Sequence, residues 1–234
     1  MTVNRSNEQR KTATRTLKPS EVRSFYDQFG KKQDSQSFYE DPAIEDLTAH
    51  ATLTEVEKVF EFGCGTGRLA ARLLTGHLPA SAAYLGCDVS QTMVRLAKER
   101  LAIFTGRALV VQSDGGMHFP LADQSVNRVI STYVLDLLSE KDIIGFLGEA
   151  HRVLDAGGKV CLVSLTEGIT IPSRVVSRTW AAIFRLRPSL VGGCRPIRLK
   201  PYILSGSWEL EYQEVVVAYG VPSEVLVAQA REPS

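Results

Sequence analysis

A short apolar strand that ends beside an acid and runs straight into alternate glycines leaves a chain few ways to fold. Here that run is Val59-Phe60-Glu61-Phe62-Gly63-Cys64-Gly65-Thr66-Gly67. Glycine permits a sharp turn at positive φ and lets a ligand approach the main chain with no Cβ in the way. A helix starting at about Arg68 would aim its unsatisfied N–H groups into that turn. The geometry is that of a nucleotide-type pocket at the carboxyl end of a parallel strand.

Two familiar phosphate loops do not fit. The dinucleotide fingerprint G-x-G-x-x-G would need glycine where Arg68 stands, and no Lys-Ser or Lys-Thr follows for a phosphate loop. The pattern E-x-G-x-G-x-G instead resembles the first motif of the class I S-adenosylmethionine (SAM) methyltransferases. The resemblance implies that Gly63, Cys64, Gly65 and Gly67 wrap the methionine part of SAM, with Glu61 near its ammonium end. Asp88, 25 residues beyond Gly63, then matches the family's acid for the ribose. Two vicinal hydroxyl donors suit one carboxylate with two acceptor oxygens. Asp114 and Gly115 match the adenine-side turn, Val89 and Met93 would flank the ring, and Ser131 completes the cofactor set. The Phe119–Val126 loop and the Arg152–Gly158 turn resemble the subgroup related to ubiquinone and menaquinone biosynthesis. Asn127 and Ala156 depart from that subgroup, which usually has Asp and Pro there. The resemblance covers about residues 56–165.

Beyond residue 55 strand and helix patterns alternate, which predicts an α/β, Rossmann-like doubly wound sheet. Strands are expected at 58–62, 83–87, 108–112, 128–134 and 159–165, and helices at 68–75, 90–102 and 140–154. Residues 208–219 and 224–230 read as an antiparallel hairpin joined by Gly220-Val221-Pro222-Ser223, closing a mostly parallel sheet. The organisation expected is a solvated tail at 1–20 and a single domain at 21–234. Within it lie an N-terminal lid (21–50), the cofactor core (56–165), a basic cap (166–207) and the hairpin (208–230).

Composition sets outer bounds. The chain has 234 residues and a formal net charge of +1, so it is not built as a whole to sit on nucleic acid. It contains no apolar run of about 18 residues for a membrane span. Its four cysteines lack C-x-x-C pairing, which points to reduced thiols in a cytoplasmic protein without a metal site. Residues 1–20 are rich in Lys, Arg, Ser and Thr, a composition that echoes an organelle transit peptide, but apolar residues for an amphipathic face are nearly absent, so a solvated tail is expected in preference to a targeting segment.

Methyl transfer from a sulfonium needs alignment and exclusion of water more than a fixed catalytic set. Segment Ser131–Asp136 should face the methyl group, which makes Tyr133 and Asp136 candidates to orient an acceptor, with His118 a further candidate base. It is not the [N/D]-P-P-[Y/F] motif of amino-methylating nucleic-acid enzymes. Residues 166–207 carry seven basic residues against Glu167 alone. A helix over 173–186 would bring Arg174, Arg178 and Arg185 within about 40° of one another. Such a helix suits peripheral contact with an anionic membrane or a pocket for an apolar, negatively charged acceptor. The expected function is SAM-dependent methyl transfer to a small or lipid-like acceptor, releasing S-adenosylhomocysteine. The alternative is a catalytically silent SAM-binding subunit that stabilises a partner.

Overall fold

The computed structural model describes residues 16–231. Seven strands form one sheet: β1 Lys58–Phe62, β2 Ala83–Asp88, β3 Ala108–Gln112, β4 Val126–Thr132, β5 Leu154–Leu165, β6 Trp208–Ala218 and β7 Val221–Ala230. Their order is β3-β2-β1-β4-β5-β7-β6. The first five run parallel, and β7 inserts antiparallel between β5 and β6. The order reverses between β1 and β4, which opens a crevice at their carboxyl ends.

Helices cover both faces, as a parallel sheet requires. They are α1 Pro19–Phe29, α2 Ser37–His50, α3 Arg68–Gly76, α4 Gln91–Leu101, α5 Glu140–Val153, α6 Ile171–Leu186 and α7 Lys200–Leu204. Alternation along β1 divides the core. Phe60 and Phe62 point to the α5 side, where Phe119 and Phe146 join them with ring centres 4.8 to 5.6 Å apart. Val59 packs on the other side with Leu47 of α2, Leu73 of α3 and Ala97 of α4. Ser90 caps α4 by accepting Met93 N–H, and Ser139 caps α5 by accepting Asp142 N–H.

Three boundaries differ from expectation. Strand β4 ends at Thr132 because Tyr133 takes φ +56° and turns the chain out of the sheet. Strand β5 begins at Leu154, pairing with Val126 across an irregularity, rather than at 159. The hairpin turn is only Tyr219-Gly220, at φ +51° and +83°, with Val221 and Pro222 already in β7. Paired left-handed residues match the right-handed twist of the strands; Pro222 reads as a turn residue in sequence but sits second in its strand.

The N-terminal tail divides. Residues 1–15 lie outside the described residues, so the expectations of a solvated tail or a targeting segment are untouched there. Helix α1 already starts at Pro19, and Thr16 and Leu17 reach the crevice. The segment expected as a lid consists of α1, a 3-10 turn at Gly30–Gln36, and α2. Arg128 fastens its far end by donating to the carbonyls of Ala51 and Thr52, each at 2.8 Å.

Candidate active site

The three glycines after β1 all have positive φ, at +77°, +53° and +74° for Gly63, Gly65 and Gly67, yet they serve different purposes. Gly63 lets Val134 close over the loop, since a Cβ there would lie 2.3 Å from a Val134 methyl. Gly67 is buried against α4, where a Cβ would meet the Ala97 backbone at 3.0 Å. Gly65 alone has nothing within 4 Å of where a Cβ would be, and it lines the crevice. The loop is anchored by Gly63 and Cys64 N–H, both donating to the Cys87 carbonyl at 2.9 Å.

Asp88 closes β2 beside this loop. One carboxylate oxygen accepts Gly65 N–H at 2.9 Å and the other accepts Ser90 N–H at 2.8 Å. Each oxygen keeps a second lone pair for a ligand hydroxyl. Burial pushes its carboxyl up to about 6, against the pull of those backbone donors. Glu61 is also buried and lines the crevice, accepting the Tyr84 hydroxyl at 2.6 Å. Desolvation raises it to about 7. Val89 and Met93 form the next stretch of wall, with Ser113 and Gly115 at its far end.

Five of the expected site residues stand elsewhere. Gly67 is a helix-packing position and does not line the crevice. Ser131 is fully buried and donates to the Phe62 carbonyl at 2.9 Å, which pins β4 to β1. Asp114 is exposed and outside the crevice lining, and one of its carboxylate oxygens accepts Gly116 N–H at 2.7 Å. His118 projects into solvent and pairs with Glu149 at 3.1 Å. Asp136 is buried behind the crevice: one oxygen accepts Leu165 N–H at 3.2 Å, and the other has no hydrogen-bond partner. Only Tyr133 of the three catalytic candidates reaches the crevice, and Ser223 Oγ, 2.9 Å away, holds its hydroxyl. Burial raises that phenol far out of the range of a base at neutral pH.

The opposite wall comes from the lid. Tyr26, Gln33, Asp34, Glu40 and Ile44 line the crevice together with Arg68 at the start of α3. Glu40 is buried and its carboxyl is pushed up to about 7 by desolvation, although Arg68 donates to it at 3.1 Å. Arg68 also pairs with Asp41. Asp34 accepts the Thr66 hydroxyl at 2.6 Å and pairs with Arg100 at 2.5 Å, tying the lid to the glycine loop. Asp27 accepts Ser90 Oγ at 2.6 Å and Thr92 N–H at 3.1 Å, hooking α1 onto the start of α4. None of these lid residues belongs to a spaced motif. The hint the sequence carries is the group of aromatics Phe25, Tyr26, Phe29, Phe38 and Tyr39.

The crevice suits SAM on its own geometry. Gly65 is a cradle that a Cβ would fill, Asp88 offers two free acceptor sites beside it, and Glu61 supplies a carboxylate at the loop's base.

Comparison with known proteins agrees. Residues 59–158 match the family described as methyltransferase domain. An uncharacterized methyltransferase of Anoxybacillus flavithermus is 28% identical over 60% of this chain and 65% of its own length. A demethylmenaquinone methyltransferase of Corynebacterium kroppenstedtii is 29% identical over 63% and 61%, respectively. An arsenite methyltransferase of Halobacterium salinarum is 30% identical over 54% of this chain but only 32% of its own length. The match thus spans between a third and two thirds of these relatives. A SAM-dependent methyltransferase structure from Methanosarcina mazei superposes with a TM-score of 0.63 at 17% identity, covering 79% of this chain and 97% of that one. The [4+2]-cyclase SpnF superposes equally well, with a TM-score of 0.63 at 17% identity over 82% and 81%. Residues 59–158 thus resemble a methyltransferase domain, on a fold shared with a SAM-dependent methyltransferase.

Proposed function

We propose that the protein is a SAM-dependent methyltransferase acting on a small or lipid-like acceptor. The observation that carries this reading is the convergence of Glu61, Gly65 and Asp88 on a crevice roofed by the lid. When bound, SAM supplies a methyl group on a sulfonium, an electrophile that needs no further activation. Asp88 would accept from the two ribose hydroxyls, and Val89 and Met93 would flank the adenine. Gly65 would leave the methionine portion room against the main chain, with Glu61 nearby in the crevice wall. Tyr26 and Leu137 wall the acceptor side and keep water out, which an in-line displacement requires.

Glu40 is the carboxylate on that acceptor side. A group titrating near neutrality is matched to taking a proton from an acceptor as the methyl arrives. The crevice wall carries Asp34, Glu40, Glu61, Asp88 and Asp142 against Arg68. That balance supports an acceptor whose reacting end is neutral rather than anionic.

Titration calorimetry with SAM, S-adenosylhomocysteine and NAD tests the cofactor, and methyl-label transfer to a panel of phenols, amines and isoprenoid quinols tests turnover. Binding of NAD without SAM would overturn the proposal. Binding of S-adenosylhomocysteine with no transfer to any acceptor would favour the silent subunit.

A further inference from the structure

Helix α6 contributes nothing to the crevice, yet its outer surface is sharply divided. At 100° per residue its inner arc holds Val176, Ser177, Trp180, Ile183 and Phe184. Phe184 is 3% exposed and Trp180 Nε1 donates to the Cys194 carbonyl at 3.0 Å, so this side is fixed to the body. The outer arc carries two adjacent stripes. Arg174, Arg178 and Arg185 lie within about 40° of one another. Beside them, within about another 60°, lie Ile171, Val175, Ala182 and Leu186.

The aliphatic stripe is bare. Ile171 is 78% exposed, Val175 61% and Leu186 82%, and Leu190 just beyond the helix is 69% exposed. The arginine stripe is uncompensated: among the described residues no carboxylate lies within 4 Å of Arg174, Arg178, Arg185 or Arg187. The next cleft continues the pattern. Arg185, Arg195 and Arg198 line it with Tyr202 and Glu140. The buried Arg195 spends its N–H groups on the carbonyls of Asp136 and Leu138, at 3.2 and 2.8 Å, and has no carboxylate partner. Arg198 does pair with Glu167.

We infer that the outer face of α6 is a docking surface for a bilayer carrying anionic phospholipid. Apolar side chains on one stripe enter the acyl boundary while guanidinium groups on the next meet phosphates, the arrangement of an interfacial helix. No helix among the described residues is long and apolar enough to cross a membrane, so the contact is peripheral. Thr170 caps the helix and its inner face is packed, so it is formed before it meets lipid. A soluble acidic protein would meet the arginines but would leave the aliphatic stripe in water. The surface also connects to the crevice: Cys194, held by Trp180, lies against Tyr26 of the crevice wall, Sγ to hydroxyl 4.0 Å. That link to a lipid-like acceptor rests on the methyltransferase reading; the docking itself does not.

Vesicle flotation of the full chain tests it, using phosphatidylcholine alone and phosphatidylcholine mixed with phosphatidylglycerol. Wild type should float with the mixed vesicles only, and less as salt rises. Arg174→Gln/Arg178→Gln/Arg185→Gln should lower partitioning on the order of a hundredfold. Ile171→Ser/Val175→Ser/Leu186→Ser should lower it at least about tenfold. Both variants should bind S-adenosylhomocysteine as wild type does, which shows that they fold and keeps failure of docking separate from failure of the cofactor reading. Absence of flotation by wild type, or equal flotation of wild type and both variants, overturns the inference. So does a dimer in light scattering that the serine variant abolishes while its flotation is unchanged, since the stripe would then be a self-association surface.

Discussion

Gly63, Gly65 and Gly67 look alike in the sequence and share positive φ, but their surroundings separate them. An alanine at any of these positions pays about 1–2 kcal/mol for the left-handed backbone. Gly67→Ala adds a collision with the Ala97 backbone, so it should lower the melting temperature more than Gly65→Ala. Gly65→Ala, with open space around its new methyl, should instead lose at least about tenfold in S-adenosylhomocysteine affinity. Thermal melts and calorimetry on the pair separate the effects, and an unchanged affinity for Gly65→Ala would refute the cradle. Asp88 offers a second test. Its carboxyl is held up to about 6, and two ribose hydroxyls donate more strongly to the ionised form, which has acceptor sites on both oxygens and no competing O–H. Cofactor affinity should therefore hold above pH 7 and fall as pH drops through about 6. Asp88→Asn should be weak at every pH and lack that decline. The cofactor side was legible because loop and acids sit at fixed spacings along consecutive strands. Asp114 stands apart because a carboxylate after a strand can serve its own turn as well as a ligand, and here one oxygen accepts Gly116 N–H.

Elements show why the other half of the crevice was hidden. The acceptor wall is assembled from α1, α2, the start of α3 and the end of β4, and no spacing links Tyr26, Glu40 and Tyr133. Asp27 holds α1 against the start of α4, and its carboxyl stays below the usual range: burial would raise it, but hydrogen bonds from Ser90 and Thr92 prevail. Asp27→Ala should speed hydrogen exchange across Pro19–Phe29 and weaken cofactor binding roughly tenfold, the effect of losing charge-assisted hydrogen bonds. Exchange as slow as in wild type would show that α1 is held by packing alone. Asn127 gives the contrasting case. Its side-chain oxygen accepts Glu57 and Lys58 N–H, each at 2.8 Å, and its amide donates to Asp155, joining the start of β1 to the turn within β5. An aspartate would keep the first two bonds but set two carboxylates together, so this departure from the subgroup pattern is coupled to Asp155. Asn127→Ala should cost about 1–3 kcal/mol in denaturant unfolding and leave cofactor affinity unchanged, since the crevice lies at the strands' other ends.

The whole molecule bears a cost for its site. The fold alone does not dictate chemistry, as a cyclase of equal structural similarity shows, so chemistry must come from groups placed in the crevice and behind it. Those groups include four buried carboxyls raised by desolvation: Glu40, Glu61 and Asp136 to about 7, and Asp88 to about 6. Between about pH 4 and 7 the folded protein holds protons that the unfolded chain has released. Unfolding then releases protons, and stability falls as pH rises through that window. Glu149 works the other way. Hydrogen bonds from Arg152 hold it down at about 2, so its stabilisation is present above about pH 4.5 and lost toward pH 2. The ligand-free protein should therefore melt highest near about pH 4.5 and progressively lower toward pH 8. Excess S-adenosylhomocysteine should stabilise more at pH 8, where Asp88 is ionised, than at pH 5.5. Asp136 isolates the effect, being outside the crevice with one oxygen unpartnered. Asp136→Asn keeps an acceptor for Leu165 N–H while removing the charge, so it should raise the melting temperature at pH 8 and flatten the slope between pH 5.5 and 8. A melting temperature in wild type that rises from pH 5.5 to 8, or an Asp136→Asn slope as steep as wild type, would show that these buried carboxyls do not set the stability of the fold.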